Sequence, residues 1–144
     1  MSGIAYERGT PFLLARLGSL ASRSWTAFLA GYGITQNQHA VLVVIREQGP
    51  LGQRRLAELA AMDARNIVAV LDSLTAAGLA ERRPHDTDRR RRVVTLTTYG
   101  VRLIDTISEA AAHGQDHFLR SLDPAERDHL NDLLRRLYNA HVQA

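Results

Sequence analysis

Residues Arg82 to Arg92 read RRPHDTDRRRR, and the rest of the chain is best read outward from them. The stretch sets six arginines against Asp86 and Asp88, a local net charge of +4 in a chain whose total is +3, so everything outside it sums to −1. In isolation such a run is a solvated or disordered segment. Here two short β-patterned runs flank it, LAERR before and RVVTL after. In the second, Val94 and Leu96 are expected on one face, with Val93 and Thr95 on the other. Pro84 and the polar HDTD stretch read as the turn. The expected product is a hairpin with guanidinium groups at its tip and along its legs. Arginine presents a flat, permanently charged fork suited to phosphate and to narrow minor grooves, which points to a nucleic-acid wing.

Composition sets the outer limits. A chain of 144 residues with 45% hydrophobic content is expected to form one globular domain, 1–144, with a real core. All eighteen basic residues are arginine. The absence of cysteine excludes disulfides, a thiolate nucleophile and a cysteine-based zinc finger. No apolar run approaches the length of a membrane span, and the opening MSGIAYERGTPF lacks a signal peptide's apolar segment. A cytoplasmic protein without a membrane partner is expected. There is no Gly-rich phosphate loop, GxSxG or HExxH, so neither an enzyme nor a cofactor is expected.

Around the hairpin the pattern is helical. Thr10-Pro11 is expected to open a first helix, with threonine as cap, and Gly31-Tyr32-Gly33 to end it. Thr35 and Gln38 have the spacing of a capping box for a second helix that buries Val41, Leu42, Val44 and Ile45 and stops at Gly49-Pro50. A third helix is expected over about Gln53 to Ala61, burying Leu56, Leu59 and Ala60. After a break at Met62-Asp63, Asp63 caps a fourth to Ala77, with Ile67, Val70, Leu71 and Leu74 inward and Gly78 as its stop. Two short helices on so tight a turn suggest a helix-turn-helix. Beyond the hairpin, Thr97 or Thr98 caps a fifth helix reaching about Leu119, and Asp123-Pro124-Ala125-Glu126 opens a last one.

ITQNQHAVLVVI through PLGQRRLAELAAMD, then NIVAVLDSLTAAGLAERR and DRRRRVVTLTTYG, resemble the winged-helix core of the MarR family of bacterial transcription regulators. The most diagnostic part is Asp88-Arg89-Arg90 followed by Val94-Thr95-Leu96-Thr97 and Gly100. The resemblance implies a mainly α fold with a small β-hairpin: a winged helix-turn-helix core over about 34–100, flanked by dimerisation helices over about 10–33 and 101–144. It further implies a homodimer that binds double-stranded DNA at a pseudo-palindromic operator, as a repressor relieved by a small ligand. A winged-helix module that docks an acidic protein partner and a metal-responsive regulator are the alternatives.

Site residues follow from the same resemblance. It places the first two turns of the fourth helix in the major groove, where arginine can fork onto guanine and asparagine onto adenine. That nominates Arg65 and Asn66, with Val68 and Ala69 beside them. The family often has small hydroxyl residues at the positions of Arg65 and Asn66 and a hydroxyl or basic residue at those of Val68 and Ala69; this chain departs at all four, so no known operator carries over. Arg89 and Arg90 would be wing-tip residues reaching the minor groove or phosphates, with Asp88 holding an arginine in a charge-assisted pair. Arg54 and Arg55 are secondary phosphate candidates. Small phenolic or aromatic acids often bind in the family where the dimerisation helices meet the winged helix. Trp25, the only tryptophan, with His39 and Arg16 or Arg46, is a candidate wall for such an effector; a packed core tryptophan is the other reading. His113 and His117 share a helix face, with Asp116 adjacent and His39 a conceivable third ligand, as in family members that sense zinc. Gly114 weakens that helix and no cysteine is available, so no metal site is assigned.

Overall fold

The structure, a computed structural model, describes residues 9–142, excepting the side chains of 115, 116 and 142. Of the opening residues read for a leader, 1–8 lie outside the described part. The element order is α1 (Thr10–Ala30), α2 (Gln36–Gln48), α3 (Gln53–Leu59), α4 (Ala64–Ala76), β1 (Ala80–Pro84), β2 (Arg92–Leu96), α5 (Thr98–Phe118) and α6 (Pro124–Val142). This is the mainly helical winged helix-turn-helix that the sequence led us to expect. The chain forms two compact units, divided after Ser108 within α5.

In the first unit one apolar core joins α1 to the wing. Leu29, Val41, Leu42, Leu56, Leu71, Leu74 and Ile107 have no accessible surface at all. Local chemistry fixes the helix ends. Thr35 accepts the N–H of Gln38 at 3.1 Å while the Gln38 amide oxygen accepts the N–H of Thr35 at 2.9 Å, a reciprocal capping box that starts α2. Asp63 accepts the N–H of Asn66 at 2.7 Å and so starts α4. The same six-residue stop closes α1, α3 and α4: Ile34 N–H donates to Leu29 O, Met62 to Ala57 O and Leu79 to Leu74 O, the Schellman geometry that requires a left-handed residue just before the donor. Glycine supplies it twice, at Gly33 and Gly78, but between α3 and α4 the left-handed residue is Ala61, with φ of 54°.

Three boundary or burial expectations are corrected. The α1 cap is Gly9, not Thr10, and makes no side-chain bond; Thr10 is the first helical residue. Leu59 is 37% exposed, whereas Ala57 is buried, because Leu56, Ala57 and Ala60 share one helical face and Leu59 falls on its flank. Pro84 belongs to β1, paired with Arg92, rather than to the turn. The faces of β2 alternate as expected, with Val94 and Leu96 turned to the core, although Val93 on the other face is as little exposed as Val94, at 4% against 3%. Val94 faces the helical core. Val93 lies opposite Arg83 in the antiparallel register, where cross-strand neighbours share a face.

A connection with no sequence signal completes the wing. Leu51 exchanges two main-chain hydrogen bonds with Val94, at 3.1 and 2.7 Å, forming a one-residue third rung. In the second unit, the Asp123 carboxylate accepts the N–H of Glu126 at 2.9 Å while Glu126 accepts that of Asp123 at 3.0 Å, capping α6. Arg127 donates to the carbonyls of Leu119 and Leu122, bracing the turn before that helix. No described helix is long and apolar enough to cross a membrane.

Candidate nucleic-acid interface

The core sits behind α4, so its opposite face is open. Ile67, Leu71 and Leu74 point inward, leaving Arg65, Asn66, Val68 and Ala69 exposed on the first two turns. Asn66 is more than a surface amide. Its Nδ2 donates to the second carboxylate oxygen of Asp63 at 3.3 Å, the same carboxylate that caps the helix. The side chain is thereby oriented with one N–H and its oxygen still available, the donor and acceptor pair that an adenine edge takes.

The wing tip is built from two stacked turns. His85 N–H donates to Arg91 O at 2.9 Å and closes the hairpin, while Arg91 N–H donates to Asp88 O at 3.0 Å. The second bond makes Arg89 and Arg90 the two central residues of a β-turn, where both are exposed. Asp88 does not pair with an arginine among the described residues. Its carboxylate accepts the main-chain N–H of Arg90 at 3.2 Å and fixes the backbone of the turn.

The arginines divide by role. Arg82 lies opposite Val94, on the strand face turned toward the helices, and bonds Asp72 of α4 at 2.8 Å. Arg83, on the other face, pairs with Asp86 at 2.8 Å. Both are structural ties. Among the described residues, Arg89, Arg90, Arg91 and Arg92 form no ion pair with a carboxylate. At α3, Arg55 is held by Glu58 at 3.1 Å, whereas Arg54 is exposed and outside any ion pair among the described residues.

The signature Thr97 to Gly100 sets where the wing joins the core. Thr97 N–H donates to Leu79 O at 3.1 Å, its hydroxyl donates to Gly78 O at 2.6 Å, and the same oxygen accepts the N–H of Gly100 at 3.0 Å. One threonine therefore caps α5 and clamps the residues that lead into β1. A Cβ on Gly100 would run into the carbonyl of Leu79, whose carbon would stand 3.0 Å away; only glycine fits there.

The effector candidates are partly gathered. The rings of Trp25 and His39 meet edge to face, 5.0 Å apart, and Trp25 stacks on Phe28 at 5.3 Å. Burial lowers the His39 pKa from its ordinary value. Arg16 lies exposed nine residues before Trp25, roughly 13 Å along the helix axis. Arg46 forms a two-bond fork with Asp105 of α5 at 3.1 and 3.2 Å, and that hydrogen-bonded partner raises its pKa. Sequence reasoning did not foresee this pair, nor Gln36, which donates to Ser22 and Thr26 of α1; single polar links carry no periodicity. His113 and His117 are both exposed on α5. The Asp116 side chain lies outside the described residues, and His39 is engaged with Trp25. Among the described residues no three ligating side chains converge on a point that could hold a metal.

Two short helices on a tight turn, a capped second helix with an open polar face and an arginine-tipped hairpin beside it define a winged-helix DNA-binding protein. The sequence profile of the MarR family matches residues 32–91. A Thauera aromatica protein named as a transcriptional regulatory protein for the hcr operon is 36% identical over 106 residues, 74% of this chain and 64% of that protein. The transcriptional repressor NicR of Pseudomonas putida is 30% identical over 111 residues, 77% of this chain and 70% of that protein. The chain belongs to the MarR family of transcription regulators. The solved structure of BpsR from Bordetella bronchiseptica, in which DNA binding is regulated by 6-hydroxynicotinic acid, superposes with a TM-score of 0.77 at 25% identity, covering 96% of this chain and 99% of that one.

Proposed function

We propose that this regulator is a cytoplasmic homodimer that represses transcription from a pseudo-palindromic operator and is released by a small aromatic or phenolic ligand. The observation that carries the DNA reading is the pairing of an open α4 face with a wing tip whose arginines form no ion pair among the described residues. Arg65 and Asn66 are the base readers, with Val68 and Ala69 able to meet thymine methyl groups. Arg89, Arg90 and Arg54 neutralise backbone or minor-groove charge, Arg55 adds to the local potential, and Asp88 holds the tip in shape. The repressor named among the relatives and the small-acid control of BpsR support the direction of regulation.

Dimerisation follows from uncovered apolar faces. Leu13, Leu17 and Leu20 of α1 are 46%, 48% and 51% exposed, and Leu133, Leu134 and Leu137 of α6 are 38%, 39% and 45% exposed. Twofold assembly is the usual way to cover such stripes. A ligand seated by Trp25 and His39, its carboxylate met by Arg16 or Arg46, would change the spacing of the two recognition helices. Half-sites about one helical turn apart tolerate little change.

The test is a mobility shift on the DNA upstream of the protein's own gene, read across salt. Log affinity should fall by about 0.9 per neutralised phosphate for each unit of log salt. Arg89→Ala with Arg90→Ala should flatten that slope and weaken all sequences alike, while Asn66→Ala should relax preference at one base pair. Equal operator affinity of the wing double variant at about 150 mM salt would remove the wing from the interface, and a monomer in sedimentation at micromolar concentration would remove the dimer.

A further inference from the structure

We propose that His85 is a positioning residue for DNA recognition: its neutral imidazole folds the wing tip, and gaining a proton unfolds it. This rests on the reading of the wing as a DNA-contacting element. The main-chain N–H groups of Thr87 and Asp88 both point at His85 Nδ1, each at 3.2 Å, and the Thr87 hydroxyl lies 3.1 Å from the same atom. Main-chain N–H groups can only donate, so Nδ1 is an acceptor and the ring proton sits on Nε2. The ring thus plays the part that an Asn or Asp side chain plays in an Asx turn, accepting from the residues two and three places on.

Those two donors are where the tip is set. Asp88 carries both the carbonyl that bonds Arg91 and the carboxylate that bonds Arg90, so the orientation of its peptide decides where Arg89 and Arg90 project. The charged residues around the ring are Arg83 and Asp86, which pair with each other, Arg89, which with these and Pro84 lines one small hollow with it, and Asp88, whose main-chain N–H the ring accepts. A second proton turns Nδ1 into a donor facing two donors, and the cap is lost.

The sign of the effect separates this role from bulk electrostatics. An added positive charge near DNA strengthens binding, so a wing that merely carried His85 would bind tighter when its ring gains a proton. A wing folded by neutral His85 binds weaker. The experiment measures operator affinity between about pH 8 and about pH 5.5 for the wild type, His85→Ala and His85→Asn, with the Arg89→Ala, Arg90→Ala double variant alongside. At the alkaline end His85→Ala should lose about fivefold, the size of one side-chain cap, and His85→Asn should restore it. On acidification the wild type should fall relative to His85→Asn, whose amide does not titrate; the other five histidines are common to both. Coincident pH profiles for wild type and His85→Asn, or full affinity in His85→Ala, would overturn the proposal while the wing reading stands. If the arginine double variant binds as well as the wild type, the wing is not on the DNA and both fall together.

Discussion

Replacing Gly100 by alanine should separate close packing from helix propensity, because the two act in opposite directions at this site. The new methyl would meet the Leu79 carbonyl, with the carbonyl carbon at 3.0 Å and the Cα at 3.4 Å. Ordinary contact between such atoms is about 3.5 Å or more, so backbone must move, and both neighbours are anchored. Leu79 O already accepts from Thr97 N–H, and the Thr97 hydroxyl already holds Gly78 O. Stretching these two bonds costs about 1 kcal/mol each, and overpacking adds about 1–3 kcal/mol. Against this, alanine in a helix gains up to about 1 kcal/mol over glycine. The net is a loss of roughly 2–4 kcal/mol, or about 10 °C in Tm for a chain near this length. Gly114→Ala is the control: it lies in the same helix with no atom within 4 Å of its added Cβ, so the propensity gain stands alone and Tm should rise by a few degrees, roughly 2–4 °C. Scans at one protein concentration keep any assembly contribution fixed. A Gly100→Ala protein melting within about 2 °C of the wild type would refute the argument that this glycine is fixed by the approach of the Leu79 backbone.

Three further expectations rest on other sites. Burial lowers the His39 pKa, so the unfolded chain binds the proton more readily; stability should be fully present above about pH 6.5 and be lost as pH falls toward the lower folded value, and His39→Gln should flatten that acid limb in denaturant titrations. Ala61 holds a left-handed conformation at the α3 stop, which costs a non-glycine residue about 1–2 kcal/mol. Ala61→Gly should therefore raise the denaturation midpoint, by up to about 1 kcal/mol after the entropy of the freer unfolded chain is counted, and a lower midpoint would show that the strain is absent. If Trp25 borders an effector site, a small aromatic carboxylate should quench its fluorescence and weaken operator binding, because linkage ties the two affinities by one factor; quenching with operator affinity unchanged would mark adventitious binding.

What the sequence made legible was whatever repeats or sits at a fixed offset. The helices of the first unit follow from apolar spacing, and the caps at Thr35, Asp63 and Asp123 from side chains whose partner lies three residues on. Both kinds of signal are local, so a linear reading captures them. Relations that depend on a third element were not legible. Alternation places Val93 on the face opposite Val94 but does not say whether that face is covered, and only the fold shows it to be buried. Leu51 forms a single rung with Val94, too short to leave a period. The α1 start went wrong because threonine before proline is a good cap by type, whereas Gly9 occupies the cap position here.

The arginine run shows the limit most clearly. Sequence alone gives six equal charges, and resemblance assigns Asp88 to hold one of them. In the fold the legs are anchored, Arg82 to Asp72 and Arg83 to Asp86, while Asp88 and His85 are bound to the backbone of the tip. Exposed pairs of this kind add at most about 1 kcal/mol each to stability, too little to explain six arginines on structural grounds. Their effect is to direct the charge: acids occupy Arg82 and Arg83 on the first leg and the backbone of the turn, leaving Arg89 to Arg92 outside any ion pair among the described residues. A phosphate backbone rewards charge that is both free and held in place, since ordering a flexible arginine on binding would cost part of what the contact contributes. The two acids inside this basic segment thus serve the same purpose as the arginines around them, and a wing with Asp88→Ala should lose DNA affinity although its net positive charge has risen.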